Sequence, residues 1–143
     1  MLSSDSKTLD SGLPRVAVGA IVRRNDSYLL VKRANNPNRG RWSIPGGKVL
    51  PGESLQVAVE REVLEETSII VQAFDPIFTF DLIEHDGSNN LLYHYVIVDL
   101  VARYIRGEIM AGTDALEAVW AHEQELDKYD LNADTLRLFR EVS

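Results

Sequence analysis

Cysteine is absent from the 143 residues. That excludes a disulfide framework, a thiolate metal site and a cysteine nucleophile, and it suits a chain that works inside the cell. Long apolar runs are missing too. The longest, Val16 to Val22 and Tyr95 to Val98, are far too short to cross a bilayer, and residues 1–12 lack the apolar centre of a secretory signal. The expectation is a cytoplasmic protein with no membrane contact. Positive charge is scarce: 15 Lys and Arg stand against 22 Asp and Glu, a formal net charge of −7. Such a field repels phosphate polymers and no basic cluster offsets it, so a nucleic-acid polymer is not an expected partner. A small anionic ligand stays open if bound cations reverse the local potential. The arrangement of the acids therefore matters more than their number.

A hydrophobic content of 45% suffices for one ordinary core, so residues 13–143 are expected to form a single domain behind a flexible segment of residues 1–12, rich in Ser and Asp. Arg15 to Arg24 and Tyr28 to Lys32 are Val-, Ile- and Leu-rich runs joined by Asn25-Asp26, the pattern of a hairpin. From Ala34 to Gly52 the chain carries Pro37, Gly40, Pro45, Gly46, Gly47, Pro51 and Gly52, too many breakers for a helix. This predicts a long ordered loop around a short strand, Trp42 to Ile44. Ser54 is placed to cap a helix running to about Thr67. Ile69 to Ile83 and Leu91 to Tyr104 read as a long hairpin closed by His85-Asp86-Gly87-Ser88-Asn89-Asn90, with Val96 to Val101 buried on both faces. Glu117 to Ala121 predicts another strand, and Thr135 to Val142 a last helix that turns Leu136, Leu138 and Phe139 inward. The mixture is an α/β (α+β) fold.

The helix after Ser54 carries the chemistry. At 100° per residue Glu62, Glu65 and Glu66 fall within a narrow arc that continues the stripe begun by Leu55, Ala58 and Val59. Three carboxylates so placed need cationic partners, raised pKa values or divalent cations, and Arg61 alone cannot neutralise them. Oxygen ligands at i, i+3 and i+4 suit Mg²⁺, with Mn²⁺ as a substitute, and a diphosphate would supply further oxygens. A solvated face with an Arg61–Glu65 pair is the plain alternative. Gly46-Gly47, leading into the helix, tips the reading toward a metal and phosphate site because backbone groups there can approach an ion closely.

The stretch Gly47-x5-Glu53-x7-Arg61-Glu62-Val63-x-Glu65-Glu66-x-Ser68-Ile69 resembles the box of the Nudix, or MutT-like, hydrolases. It departs from the family pattern only at Ser68, where the family has glycine. A left-handed residue is usual at such a helix end, and serine there costs about 1 kcal/mol. The resemblance implies an α/β/α sandwich around a mixed β-sheet and metal-dependent hydrolysis of a pyrophosphate. It also implies metal binding by Glu62, Glu65, Glu66 and the backbone at Gly46 or Gly47, with Arg61 orienting the glutamates together with Glu53. The general base stays open among Glu62, Glu65 and a later acid, Asp114 or Glu117.

For a nucleotide substrate, aromatic faces for a base and cations for phosphates direct attention to Arg33, Arg39, Arg41, Trp42, Phe78, Phe80 and Tyr93, with His85 and His94 less specific. The expected substrate is a nucleoside diphosphate joined to another group, ADP-ribose or a related nucleotide sugar being favoured. The alternatives are an oxidised nucleoside triphosphate and a catalytically silent nucleotide sensor. Diphosphate isomerisation on this fold is expected to need a cysteine, and a base-reading repair domain would need an attached catalytic domain. Homodimers are common in the family.

Overall fold

In the computed structural model, which describes residues 12–34, 39–110, 112 and 115–142, seven strands form one mixed sheet. β1 (Arg15–Arg24) turns through Asn25, whose φ of 55° is left-handed, into β2 (Ser27–Arg33). β3 (Trp42–Ser43) and β4 (Gly46–Lys48) follow, then α1 (Leu55–Thr67) and the paired strands β5 (Ile70–His85) and β6 (Leu91–Arg106). β7 (Ala115–His122), a 3₁₀ turn at Glu123–Tyr129 and α2 (Ala133–Val142) end the chain. The sheet order is β3-β2-β1-β6-β5, with β4 pairing β1 and β7 pairing β2. β1 and β6 run parallel and every other pair is antiparallel.

Period-2 alternation in β1 and β6 sends side chains to both faces, and each face has its own core. Val18, Ala20, Val98 and Leu100 pack with Ala58, Val59 and Val63 of α1. Ile21 and Val101 join Tyr28, Leu30, Leu138 and Phe139 beside the 3₁₀ turn and α2. The sheet thus lies between helical layers, as the sandwich expectation had it, and Tyr28 stacks on Phe139 with ring centroids 4.2 Å apart.

Two elements depart from the sequence reading. Gly46–Lys48, expected as loop, is a strand because its backbone pairs with Ala17–Gly19 of β1. Its order comes from that partner and from no propensity of its own, two glycines being poor strand formers. The 3₁₀ turn at Glu123–Tyr129 was not anticipated. The proposed flexible segment falls almost wholly outside the described residues.

Candidate active site

α1 begins where Ser54 accepts a hydrogen bond from the Val57 amide at 3.1 Å. It ends at Ser68, whose φ of 67° and ψ of 11° are left-handed while its amide still donates to the Leu64 carbonyl. Serine therefore adopts the conformation a glycine would take more cheaply, and its hydroxyl donates to the Met110 carbonyl at 3.2 Å.

Arg61 is the hub. Nε and Nη2 grip the two Glu53 carboxylate oxygens at 2.6 and 2.9 Å, and Nη2 also donates to the Lys48 carbonyl at 2.9 Å. Nη1 reaches Glu62 at 2.7 Å and Glu65 at 3.3 Å. Glu53 in turn accepts the Leu50 amide at 2.8 Å. One guanidinium thus clamps the loop before the helix to the helix itself, the fork geometry that favours Arg over Lys. The Arg61 hydrogen bond, followed by that of the Leu50 amide, holds the Glu53 carboxyl below its ordinary pKa. Bonding to Glu53 likewise raises the Arg61 guanidinium.

The three helix glutamates are not alike. Glu66 is buried and its Oε1 accepts the Gly46 amide at 2.9 Å. Glu62 is largely covered, and burial pushes its pKa up against the opposing pull of Arg61. Its carboxylate lies where a side chain on Gly47 would have to be, so a Cβ at that position would displace it. Glu65 is half exposed, which corrects the expectation that all three occupy core-like positions. It sits about 100° around the helix from Glu66, past the edge of the buried stripe. No three acidic or imidazole groups among the described residues already converge on one point. The donors nonetheless suit a hard divalent cation: Arg61 faces three glutamates, and the Gly46-Gly47 backbone lies against Glu62 and Glu66.

The remaining candidates scatter. Arg33, Arg41 and Trp42 line one cavity of about 80 Å³ with Ser43 and Asn132. Arg41 donates to the Asp130 carbonyl at 3.1 Å, and Trp42 meets Tyr129 edge-on at 5.1 Å. Arg39 donates to the Ala34 carbonyl. Phe80 lies beside Phe78 at 5.6 Å, and Tyr93 beside Tyr95 at 5.7 Å. His85 is exposed at the end of β5, while His94 is half-buried on β6. Glu117 pairs with Lys32 at 3.5 Å, away from the helix glutamates. Asp114 lies outside the described residues, although Gly112 just before it donates to the Glu66 carbonyl at 2.9 Å.

Sequence reasoning passed over Asp99. It is 4% exposed on β6, and burial alone raises its pKa to about 6. A charge inside Val-Ile-Val-Asp-Leu-Val is the signal that marks it.

A NUDIX domain model matches residues 13–142. An ADP-ribose pyrophosphatase of Methanocaldococcus jannaschii is 35% identical over 115 residues, 80% of this chain and 66% of that protein. A nucleoside triphosphatase NudI of Escherichia fergusonii is 32% identical over 130 residues, 85% of this chain and 91% of its own length. Among solved structures, a MutT NUDIX hydrolase from Burkholderia pseudomallei aligns with a TM-score of 0.70 at 28% identity, covering 91% of this chain and 98% of that one. The domain match takes in every element from β1 to α2, and on that breadth the chain belongs to the Nudix hydrolase family.

Proposed function

We propose that the chain hydrolyses the pyrophosphate linkage of a nucleoside diphosphate joined to a second group, with Mg²⁺ as the working cation and a nucleotide sugar such as ADP-ribose as substrate. The observation that carries this is the Arg61 clamp, which holds Glu53, Glu62 and Glu65 together beside the Gly46-Gly47 backbone. Glu62, Glu65, Glu66 and the Gly46 or Gly47 carbonyl would hold the cation. A bound divalent ion would neutralise the diphosphate and ease deprotonation of the attacking water. In the reaction the water oxygen bonds to one phosphorus and the bridging P–O bond breaks. Two phosphate-bearing products leave, and the water's proton passes to a base drawn from Glu62, Glu65 or a loop acid.

Each residue has a definable task. Arg61 and Glu53 are positioning residues: their bidentate pair fixes the loop of residues 48–53 against α1 and so limits where Glu62 can swing. The Gly46 amide holds Glu66 in one orientation.

Glu62→Gln and Glu66→Gln keep shape while removing charge. Each should lower kcat for ADP-ribose with Mg²⁺ by about a hundredfold or more while the circular dichroism spectrum is retained. Wild-type turnover in both variants would remove the site. The likeness to a nucleoside triphosphatase supports a second reading, pyrophosphate release from a nucleoside triphosphate. A panel of nucleotide sugars, dinucleoside polyphosphates and nucleoside triphosphates separates the two.

A further inference from the structure

Asp99 is a carboxylate in the middle of a sheet. It pairs in register with Gly19 of β1 on one side and Phe78 of β5 on the other. Alternation along β6 puts it on the face that carries Val101, the side of the core that also takes in Ile21, Ile44, Trp42 and Phe78. Space for it exists because position 19 is glycine: a Cβ there would collide with Asp99 Oδ1 and come within 2.8 Å of Ile44 Cδ1. No hydrogen bond or ion pair reaches the Asp99 side chain among the described residues. Yet no fully enclosed side-chain oxygen or nitrogen among them lacks a partner, so the Asp99 oxygens keep a trace of solvent access.

An isolated buried carboxylate is strongly unfavourable, and nothing among the described residues compensates this one. Its position links it to the reaction. Gly19 pairs with Asp99 across one strand boundary and with Gly46 across the other. Asp99 therefore stands about 10 Å, two strand spacings, from the backbone beside Glu66. That span is of the order separating a nucleotide's base from its phosphates. Phe78, in register with Asp99, and Phe80, tilted at 33° to it, provide ring faces on which a planar heterocycle can lie.

We propose that Asp99 is a specificity-determining residue that accepts a hydrogen bond from the exocyclic amino group of the substrate's nucleobase, favouring amino-bearing bases over their oxo counterparts. The assignment rests on the nucleotide reading above and adds the base to it. An ionised carboxylate only accepts, so an amino group satisfies it while a carbonyl oxygen in the same place repels it. Adenine, guanine and cytosine each present such a group.

The test is calorimetric binding of three matched pairs in the presence of Mg²⁺: AMP against IMP, GMP against XMP, and CMP against UMP. At least one amino member should bind about tenfold or more tightly than its partner, the effect of one charge-assisted hydrogen bond, and the pair concerned names the base. In Asp99→Asn, whose amide can donate to an oxo group, that ratio should fall toward one. Ratios within about threefold for all three pairs, no binding by any of the six, or a ratio unchanged in Asp99→Asn would each overturn the proposal. The wild-type comparison needs no variant, so a misfolded substitution does not block the test. Discrimination in binding without cleavage of any pyrophosphate would sink the hydrolase reading and leave this one standing. Cleavage without discrimination would do the reverse.

Discussion

Arg61 and Asp99 are both charged and both substantially covered, and the fold treats them in opposite ways. Arg61 is bonded through all three guanidinium nitrogens, so its charge is compensated where it stands. Asp99 has no such compensation among the described residues, and its folded pKa of about 6 exceeds the ordinary value of 3.8. The folded chain therefore binds this proton more tightly than the unfolded chain does. The sign follows from that: stability is greatest below the unfolded pKa, falls as pH rises from about 4 to about 6, and stays low above that. A shift of about two units corresponds to about 3 kcal/mol at most. Asp99→Asn, which cannot ionise, should be more stable than wild type at pH 7.5 by about 1–3 kcal/mol and by only about a third of that at pH 4.5, read from urea midpoints. A difference that does not change between those pH values would mean that the Asp99 carboxyl titrates normally. Asp99 shows in the sequence only as one acid inside Val96 to Val101; hydropathy averages it away, and its burial beside Gly19 depends on pairing between distant segments. Arg61 was legible because its place after Glu53 matches the Nudix box.

α1 shows which features an element declares locally and which it borrows. Ser54 at its start and the end near Thr67 follow from capping chemistry within a few residues, so the helix could be placed from sequence alone. β4 could not be, since its pairing with Ala17–Gly19 joins segments far apart in the chain. α1 also runs against its own electrostatics. Its glutamates lie in the last turns, near the negative end of the helix dipole, and no basic residue occupies the last turn. A helix selected for stability alone would carry them at the other end. Ser68 adds strain at the same terminus by holding a left-handed conformation. Ser68→Gly should raise stability by about 0.5–1 kcal/mol, offset in part by loss of the exposed hydroxyl bond to Met110. Chemical denaturation reads this directly. A decrease in stability would show that the hydroxyl bond outweighs the backbone strain.

For the whole molecule, a formal charge of −7 is a standing repulsion within a small domain. Part of it is concentrated where Glu53, Glu62 and Glu65 share Arg61 while Glu66 lies behind the Gly46 amide. A divalent cation that binds this cluster in the folded chain, and not in the unfolded one, must stabilise the fold by mass action. At about a hundred times its dissociation constant the contribution is about 2.7 kcal/mol. In a domain of this length that raises Tm by about 5–10 °C. General screening of the negative charge would also raise Tm, so the comparison is MgCl₂ against NaCl at equal ionic strength. The excess produced by magnesium is the specific part. That excess should disappear in the Glu62→Gln, Glu66→Gln double variant, whose net charge differs by only two. Its persistence there would place the cation elsewhere on the acidic surface and detach the metal from α1.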